Sequence, residues 1–460
     1  MFARARQALA ELIRPAPPLT HVRRFDGAAG GRRVAGFGTF GPINPEVSGA
    51  AATVRGRARY LARNNQWIGN AVANWTAALV GSGIRPTSTN AEAVAAFDAW
   101  ALDGDADGRT DFFGLHAVIA RALVEDGESF VILRADEDGL KPQVIPAEHV
   151  DEGLTRDLGG GWYIVQGVEL DASGRRVAYH VLPNNPTQAF ESYAPPVRID
   201  AADVLHIMAP IAPGQVRGVS WLAPIILPAS ELDQLTDALL VGAKIAAMHA
   251  GFLVDQNGAG EPFDGTETGG ILETGLEPGT LKRLPTGFDV KFNSPQQAQQ
   301  TAEFVKHSLR GLAAGLGVPS HLLDGDLTGA NYSSLRAGLI PFRARVEQVQ
   351  YGVLVPQLLR PTWERVQLFG GNVGARVDWI MPKPLQVDPQ KDVEADVSEI
   401  NAGLASRRQK VAARGWAVEE LDADIAADRK REESLGLVFG VQPAAQADKP
   451  AQSDQKESTP

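Results

Sequence analysis

Residues 294–316 read SPQQAQQTAEFVKHSLRGLAAGL, and this stretch carries the most regular apolar pattern of the chain. Ser294 is suited to cap a helix and Pro295 to begin it, while Gly317 and Pro319 predict its end. Because the apolar residues recur alternately every four and three positions, they form one narrow helix face that predicts packing against neighbouring helices. These residues are Ala298, Ala302, Val305, Leu309, Leu312 and Leu316.

A second helix repeats the same alternation after a short loop. Pro341 and Pro356 lie inside it or near its end, and because proline lacks a backbone N–H and clashes with the preceding turn, we expect a kink. Residues 219–250, upstream of both, predict a further helix with Pro224 in its first turn. The apolar residues of the kinked helix are Leu335, Leu339, Phe342, Val346, Val349 and Val353.

The first 218 residues predict an α+β fold, with helices first and a mainly antiparallel sheet second. Residues 15–52 are rich in proline, glycine and alanine, which favours an extended arm. One apolar stripe from Leu61 to Leu79 then predicts a single helix. Further helices are expected at 91–102 and 113–124, hairpins at 129–134 with 141–145 and at 162–170 with 175–182, and strands at 197–199 and 204–208.

The remaining segments are poorer in core candidates. Residues 255–280 are rich in glycine and acidic side chains, and short strands are expected at 281–284 and 290–292. A polar helical region follows Pro389, with dense mixed charge over 419–433. The last residues, 442–460, contain too few apolar side chains to offset the entropy of ordering, which predicts disorder.

Composition excludes several classes of protein. The 460 residues contain no cysteine, which rules out disulfide scaffolds, thiolate nucleophiles and cysteine-ligated metals. Residues 1–85 hold 12 arginines and 3 acidic residues, a balance of +9. Because the net charge of the chain is −11, residues 86–460 carry a balance of −20. This acidity argues against a static binder of nucleic acid, since such binding uses Lys and Arg to neutralise phosphates. Residues 239–254, the most apolar stretch, are interrupted by Lys244 and His249 and predict no membrane span.

The sequence motifs of common enzymes are absent, and we predict that the chain is not an enzyme and needs no cofactor. There is no G-x-x-x-x-G-K-[ST] loop and no strand-borne G-x-G-x-x-G. The sequence around Ser220 lacks the closing glycine of a nucleophile elbow.

The sharpest local motif is an acidic loop that follows the second predicted helix. Asp103, Asp105, Asp107 and Asp111 occupy positions 1, 3, 5 and 9 of an EF-hand loop, but Gly114 stands where the bidentate glutamate is needed. Two interpretations remain open: a weak cation site, and a polar turn between helices, in which Asp and Gly are common.

A basic cluster lies at the start of the first predicted helix. Cations at a helix N-terminus oppose the helix dipole, so an acidic neighbour is expected to compensate them. One interpretation is a contact to phosphates or to an acidic partner subunit, and the other is a solvated helix face. The cluster consists of Arg55, Arg57, Arg59 and Arg63.

An ordered series of segments between residues 50 and 435 resembles the portal proteins of lambda-like tailed phages. The most specific of them are LEPGT and GVP, followed by NYSSLR. The full series is Arg59–Asn65 (RYLARNN), Val80–Pro86 (VGSGIRP), Arg217–Pro224 (RGVSWLAP), Ala243–Ala247 (AKIAA), Leu276–Thr280 (LEPGT), Gly317–Pro319 (GVP), Asn331–Arg336 (NYSSLR), Val387–Asp392 (VDPQKD) and Gly403–Arg407 (GLASR).

The resemblance implies a ring, usually of twelve subunits, at one capsid vertex of the virion, assembled in the cytoplasm of the bacterial host. Double-stranded DNA passes through such a ring during packaging and ejection, and the large terminase subunit, head–tail connector proteins and major capsid proteins dock on it. Membranes are not among the expected partners, and the family has no catalytic site of its own. An acidic body is compatible with this role, because a translocating polymer must slip and tight phosphate neutralisation would hold it.

The resemblance also implies a portal fold with an α/β wing, a helical stem, a small clip, a kinked tunnel helix and a helical crown. The implied boundaries are a flexible arm at 1–52, the wing at 53–218, a stem helix at 219–252, the clip at 253–294, a second stem helix at 295–317, the tunnel loop at 318–333, the kinked helix and return to the wing at 334–385, the crown at 386–440 and a disordered tail at 441–460.

On this picture, candidate residues for the DNA channel or a subunit interface lie on the second stem helix and around the tunnel loop. They are Lys306, Arg310, Asp324, Asp326, Asn331, Tyr332 and Arg336. Two alternatives remain at this point: another ring or adaptor protein of a phage head or tail, and a metal-dependent enzyme built on Asp103–Asp111.

Overall fold

A computed structural model describes residues 40–136, 139–183, 195–248, 252–254, 266–268, 271–273, 282–284, 295–329, 331–382 and 389–437. The helices are α1 (Ile43–Asn64), α2 (Gln66–Val80), α3 (Ala91–Ala101), α4 (Phe112–Glu125), α5 (Ile226–Met248), α6 (Pro295–Leu316), α7 (Ser320–Asp324), α8 (Tyr332–Val349), α9 (Arg360–Gly370), α10 (Pro389–Asn401), α11 (Arg407–Ala412) and α12 (Val418–Leu435). A π-helical segment, Gln350–Leu359, joins α8 to α9, and 3-10 turns lie at Ala147–His149, Ala201–Asp203 and Ala223–Ile225.

Two antiparallel sheets and several short strand pairs complete the fold. The strands are β1 (Arg85–Thr87), β2 (Glu128–Asp136), β3 (Gly139–Ile145), β4 (Arg156–Gly159), β5 (Trp162–Val165), β6 (Val168–Leu170), β7 (Arg176–Val181), β8 (Val197–Asp200), β9 (Val204–Met208), β10 (Phe252–Val254), β11 (Thr266–Thr268), β12 (Ile271–Glu273), β13 (Lys282–Leu284) and β14 (Asp378–Ile380). The three-stranded sheet has the order β3-β2-β9, and the five-stranded sheet has the order β4-β5-β6-β7-β8.

The first predicted helix is in fact two helices. Asn65 adopts an extended conformation between α1 and α2, and its side chain accepts the backbone N–H groups of Trp67 and Ile68, which caps α2. The apolar stripe continues across this break, so periodicity alone could not reveal it. Because α1 begins at Ile43, residues 43–52 of the predicted arm over 1–52 are helical.

The first predicted hairpin is confirmed as β2 and β3, whereas the second contains an extra turn. The single strand expected over 162–170 is divided into β5 and β6 by Gln166 and Gly167, which both have positive φ, 47° and 79°. A Cβ on Gly167 would lie 2.7 Å from the carbonyl oxygen of Asp151, so only glycine fits there. Gln-Gly is not among the dipeptides typical of such hairpins, and the turn is therefore invisible to a motif search.

Two hydrophobic clusters hold these layers together. The larger one joins α2, α3 and α4 to β2, the first turns of α5, the last turns of α6, and the rod formed by α8, the π-helical segment and α9. The smaller one is shared by the two sheets and includes Phe130, Val168 and Tyr179. Strand β14 returns to the first part of the chain by pairing antiparallel with β1.

The predicted kinked helix is present from 332 to 370 as α8, the π-helical segment and α9. Pro341 lies within α8 and Pro356 within the π-helical segment. A wider π turn is one way for a helix to accommodate a residue that cannot donate its backbone hydrogen bond. The proline signal thus marked the site of an irregularity, which takes the form of π-helical turns.

The C-terminal region is helical, as its pattern predicted. Within 389–437 none of the three helices α10, α11 and α12 has a buried residue. Ion pairs connect them, among them Arg414 to Asp396 at 2.7 Å and Arg407 to Asp422 at 2.7 Å.

Some predictions fall outside the described part of the chain. Strand β13 matches the predicted strand at 281–284, but the strand at 290–292, the cap Ser294 and the tail at 441–460 are not described. Two further strand pairs, β10 with β13 and β11 with β12, occupy the region between α5 and α6. Within the described ranges, no helix is both long and apolar enough to cross a bilayer.

Candidate functional site

The loop that follows α6 contains several of the predicted residues. Lys306 Nζ lies 3.5 Å from Asp326 Oδ2, so an ion pair connects the exposed face of α6 to this loop. Asp324 Oδ1 accepts the Asp326 N–H at 2.9 Å, and Asp326 Oδ1 accepts the Thr328 N–H at 2.8 Å. Hydrogen bonds from Thr328, together with the nearby charge of Lys306, lower the pKa of Asp326. Two of the predicted acidic residues therefore organise the loop itself.

The remaining predicted residues of this region lie on the two adjoining helices. Asn331 caps α8: its Oδ1 accepts the Ser334 N–H at 2.9 Å, while Ser334 Oγ accepts the Asn331 N–H at 2.9 Å. Tyr332 is the first residue of α8. Arg336 is exposed on α8, and Arg310 is exposed on α6. Lys306 and Asp326 are thus predicted residues from two different elements that the fold brings into contact.

The basic cluster of α1 requires a correction. Arg55 is only 5% exposed and donates to both carboxylate oxygens of Glu152, at 2.6 and 2.8 Å. Arg59 donates to Asp126 at 2.7 Å and to Glu148 at 2.8 Å. The compensating acidic groups of these two arginines therefore belong to the same chain.

The other two members of the basic cluster differ from Arg55 and Arg59. Arg57 and Arg63 are exposed, which leaves them accessible at the surface. Hydrogen bonds and the charge of Asp126 outweigh burial and raise the pKa of Arg59, while burial raises the pKa of Asp126 despite the nearby guanidinium.

The carboxylates of the acidic loop after α3 accept backbone N–H groups and pair with a lysine. Asp105 is 5% exposed, and its carboxylate accepts the backbone N–H groups of Asp107, Arg109 and Thr110 at 2.9–3.0 Å. Asp111 caps α4 through the Gly114 N–H at 2.7 Å. Asp103 pairs with Lys141 at 3.0 Å. Since the carboxylates point to separate partners, they form no metal cluster, and the described residues elsewhere contain none either.

Sequence reasoning missed a buried ion pair between Arg217 and Glu128. The two side chains are 1% and 2% exposed, and Arg217 Nη2 lies 2.7 Å from Glu128 Oε1. Arg217 also donates to the carbonyl oxygens of Gln166 at 2.7 Å and Ala147 at 2.9 Å, and its guanidinium lies over the Phe130 ring. This one side chain therefore connects both sheets to the segment that leads into α5.

Both carboxylate oxygens of Glu128 have hydrogen-bond partners. Its carboxylate accepts the Gly218 N–H at 2.7 Å and lies 2.9 Å from His206 Nε2. Burial alone would raise the pKa of Glu128, but the charge of Arg217 and the hydrogen bonds outweigh it and hold the pKa well below its usual range. Burial lowers the pKa of His206, which favours its neutral form against the opposing influence of Glu128. The buried cluster therefore keeps a carboxylate charged where water cannot reach it.

Trp75 of α2 contacts both the end of α6 and the segment that leads into α5. Its indole N–H donates to the carbonyl oxygen of Leu316, the last residue of α6, at 3.0 Å. Its ring packs edge-on against Trp221 and Phe342, with centroid distances of 5.2 and 4.8 Å. The beginning of α5 and the end of α6 are therefore anchored at neighbouring points. In the sequence, Trp75 was visible as a member of the α2 stripe and Arg217 as part of RGVSWLAP, but their contacts were not.

The geometry thus defines a structural α+β body in which two helices, α5 and α6, are anchored side by side through buried polar contacts. The profile described as "Phage portal protein, lambda family" matches residues 31–350 of this sequence. The chain therefore belongs to the lambda family of phage portal proteins.

Curated relatives carry the same description. A probable portal protein of Halomonas phage phiHAP-1 is 27% identical over 367 residues, which cover 74% of this chain and 70% of that protein. Portal protein B of Escherichia phage lambda is 25% identical over 340 residues, covering 64% of this chain and 62% of that protein. The portal protein of Escherichia phage N15 is 24% identical, with coverage of 91% and 92%.

Solved structures give weaker similarities. A chain from the neck of an empty gene transfer agent particle has a TM-score of 0.43 and 17% identity, with 81% of this chain and 95% of that chain covered. A phage portal protein of the HK97 family from Corynebacterium diphtheriae has a TM-score of 0.33 and 14% identity, with 75% and 98% covered.

Proposed function

We propose that this portal protein forms a closed ring at one capsid vertex, through which double-stranded DNA is packaged and ejected, and that it has no catalytic site of its own. The observation that carries this proposal is the match of residues 31–350 to the portal family. The protein is then a virion component that assembles in the host cytoplasm. Its docking partners are the large terminase subunit, head–tail connector proteins and the major capsid protein.

Exposed apolar side chains on the paired helices support the ring. Leu239, Leu240 and Val241 on α5 are 38%, 54% and 46% exposed, and Phe304 on α6 is 57% exposed. A single chain leaves these side chains in water, at a cost that neighbouring copies in a ring would remove. A ring interface is heterologous and closed, so every copy offers one face and covers the next.

The segments take the following roles in this proposal. The wing comprises α1 to β9, the stem is formed by α5 and α6, and the clip lies between them with β10 to β13. The tunnel loop is the segment after α6, the rod from α8 to α9 runs behind it, and α10 to α12 form the crown. The order of elements along the chain supports this assignment, together with the contacts between α5 and α6.

Lys306 and Arg310 are proposed to face the channel or a neighbouring subunit. Both lie on the exposed side of α6, and the pair between Lys306 and Asp326 moderates one of the two charges. Replacing both residues by alanine should reduce DNA packaging in a reconstituted system while rings still form. A double variant with unchanged assembly and unchanged packaging would remove these residues from the proposal. Arg57→Ala is a matched control, because it deletes an exposed arginine from α1.

Imaging of the purified protein in negative stain tests the proposed assembly. We expect rings of about twelve subunits with a central hole, in keeping with closed cyclic symmetry. A homogeneous population of compact monomers under assembly conditions would contradict the proposal. Stacked or open rings of another size would instead favour a different ring or adaptor role in the phage head or tail.

A further inference from the structure

The segment that leads into α5 crosses the turn between α4 and β2 at very short distance. We call residues 215–225 the junction segment. A Cβ on Gly127 would lie 2.0 Å from the carbonyl carbon of Val219, and a Cβ on Gly218 would lie 2.4 Å from the Gly127 oxygen. The Trp221 N–H donates to the Val124 oxygen at 3.2 Å. Two glycines therefore permit a backbone crossing that any side chain would push apart.

Arg217 fixes this crossing through contacts on several sides. Its guanidinium donates to Glu128 at the start of β2, to Gln166 in the second sheet and to Ala147 in a 3-10 turn. Glu128 in turn accepts the N–H of Gly218, the residue after Arg217. Because the guanidinium group is planar and donates in a fixed fork, these contacts fix the orientation of the junction segment as well as its distance from β2.

Among residues 226–244 of α5, the buried ones lie in the first turns. Ile226, Ala229 and Leu232 are buried, and Asn65 Nδ2 donates to Asp233 Oδ1 at 3.3 Å. From residue 237 to 244 the α5 residues are exposed. A helix rises about 1.5 Å per residue, so a rotation of roughly 10° at the junction moves the end of α5 by about 6 Å. The orientation of the exposed length of α5 is therefore set by the junction segment together with the first turns of α5.

We propose that the ion pair between Arg217 and Glu128 is a positioning device that sets the angle between the wing and the stem, and thereby the number of subunits that close the ring. This inference rests on the proposed ring, because it concerns how the ring closes. Rings of twelve and thirteen subunits differ by only about 2° in rotation per subunit, so a small change of angle between two interface-bearing parts selects a different size. Arg217 acts through the orientation of α5 and need not contact DNA or a neighbour.

The cysteine-free sequence allows a direct test in the full chain. Cysteines introduced by Val118→Cys on α4 and Asp237→Cys on α5, both at exposed positions, would be the only thiols and can carry spin labels. The distribution of distances between the two labels is measured by double electron–electron resonance spectroscopy after dilution with unlabelled chains. The same preparations, without labels, are sized by native mass spectrometry.

Arg217→Lys keeps the charge but loses the fork, and Glu128→Gln keeps the shape but loses the charge. We expect both variants to broaden or shift the distance between α4 and α5, and to change one ring size into at least two. The control is Glu169→Gln, which removes another buried carboxylate, paired with Arg198 at 2.8 Å, without touching the junction. A merely stabilising role predicts that all three variants lower the unfolding temperature and leave distance and ring size unchanged.

An unchanged distance and an unchanged ring size in Arg217→Lys would overturn the positioning role. Arg217→Lys is the conservative variant. If it fails to fold, Glu128→Gln provides the second test. Wild-type chains that never form rings would instead refute the proposed function. In that case the distance measurement on monomers still decides whether Arg217 orients α5, so the two failures are distinguishable.

Discussion

His116 is a buried group whose titration can be observed at the level of a single residue. It is fully buried, its Nδ1 accepts the Ile84 N–H at 3.2 Å, and Nε2 has no hydrogen-bond partner among the residues that the structure describes. Burial lowers the pKa of His116 from its ordinary 6.5 to about 3. Above pH 6.5 the imidazole is neutral in both states of the chain. Between pH 6.5 and 3 only the unfolded chain binds the proton, so folding stability falls as the pH falls.

The first prediction concerns this pH dependence. In His116→Asn the side-chain oxygen can still accept from Ile84, but the residue no longer titrates. We expect stability of the variant to fall less steeply below pH 6.5, by up to about 1.4 kcal/mol per pH unit relative to wild type. Denaturant unfolding between pH 7 and pH 5 measures the difference. The exposed His307→Gln is the control, and identical slopes for wild type and His116→Asn would contradict the burial argument.

The second prediction concerns the acidic turn at Asp105. Its carboxylate accepts three backbone N–H groups, and although burial opposes it, these bonds lower the pKa of Asp105. Asp105→Asn should therefore destabilise the chain by about 1–3 kcal/mol, because three backbone N–H groups lose a charged acceptor. Millimolar calcium should leave the unfolding temperature unchanged in wild type. A calcium-dependent rise that disappears in Asp105→Asn would show that the turn is a cation site after all.

At the level of elements, Trp75 links α2 to the end of α6. Trp75→Phe keeps an aromatic ring but leaves the buried Leu316 carbonyl without its donor, which we expect to cost about 1–3 kcal/mol. Hydrogen exchange should accelerate in the last turn of α6. Trp100→Phe is a matched control, because its indole N–H donates to Leu140 at 2.6 Å, away from α6. Equal exchange in α6 for both variants would contradict an anchoring role for Trp75.

Elements whose signals are local could be predicted from the sequence, and their partners could not. The start of α6 at Pro295 and the rod from α8 to α9 follow from apolar spacing, proline and glycine within a few residues. By contrast, Arg55 pairs with a glutamate 97 residues away, and Arg217 with one 89 residues away. Spacing within a segment contains no information about such pairs. The basic face of α1 was therefore visible, but its buried, intrachain character was not.

At the level of the whole molecule, α5 and α6 are the two helices on which the proposed ring depends. The buried contacts of Arg217, Glu128 and Trp75 hold the beginning of α5 and the end of α6 at one place, while apolar side chains further along both helices remain exposed. The net charge of −11 is repeated in every copy of a ring. On the proposed ring, this excess of acidic side chains leaves DNA free to slide, because few phosphates are neutralised by fixed cations.

The mass of the assembled wild-type protein tests the ring itself. Twelve copies of the 49.0 kDa chain amount to roughly 590 kDa, and native mass spectrometry at assembly concentrations separates this mass from neighbouring ring sizes. We expect one dominant species at this mass or within one subunit of it. A dominant species at the mass of a single chain, under conditions in which the protein is folded, would contradict the assignment of α5 and α6 as ring-forming helices.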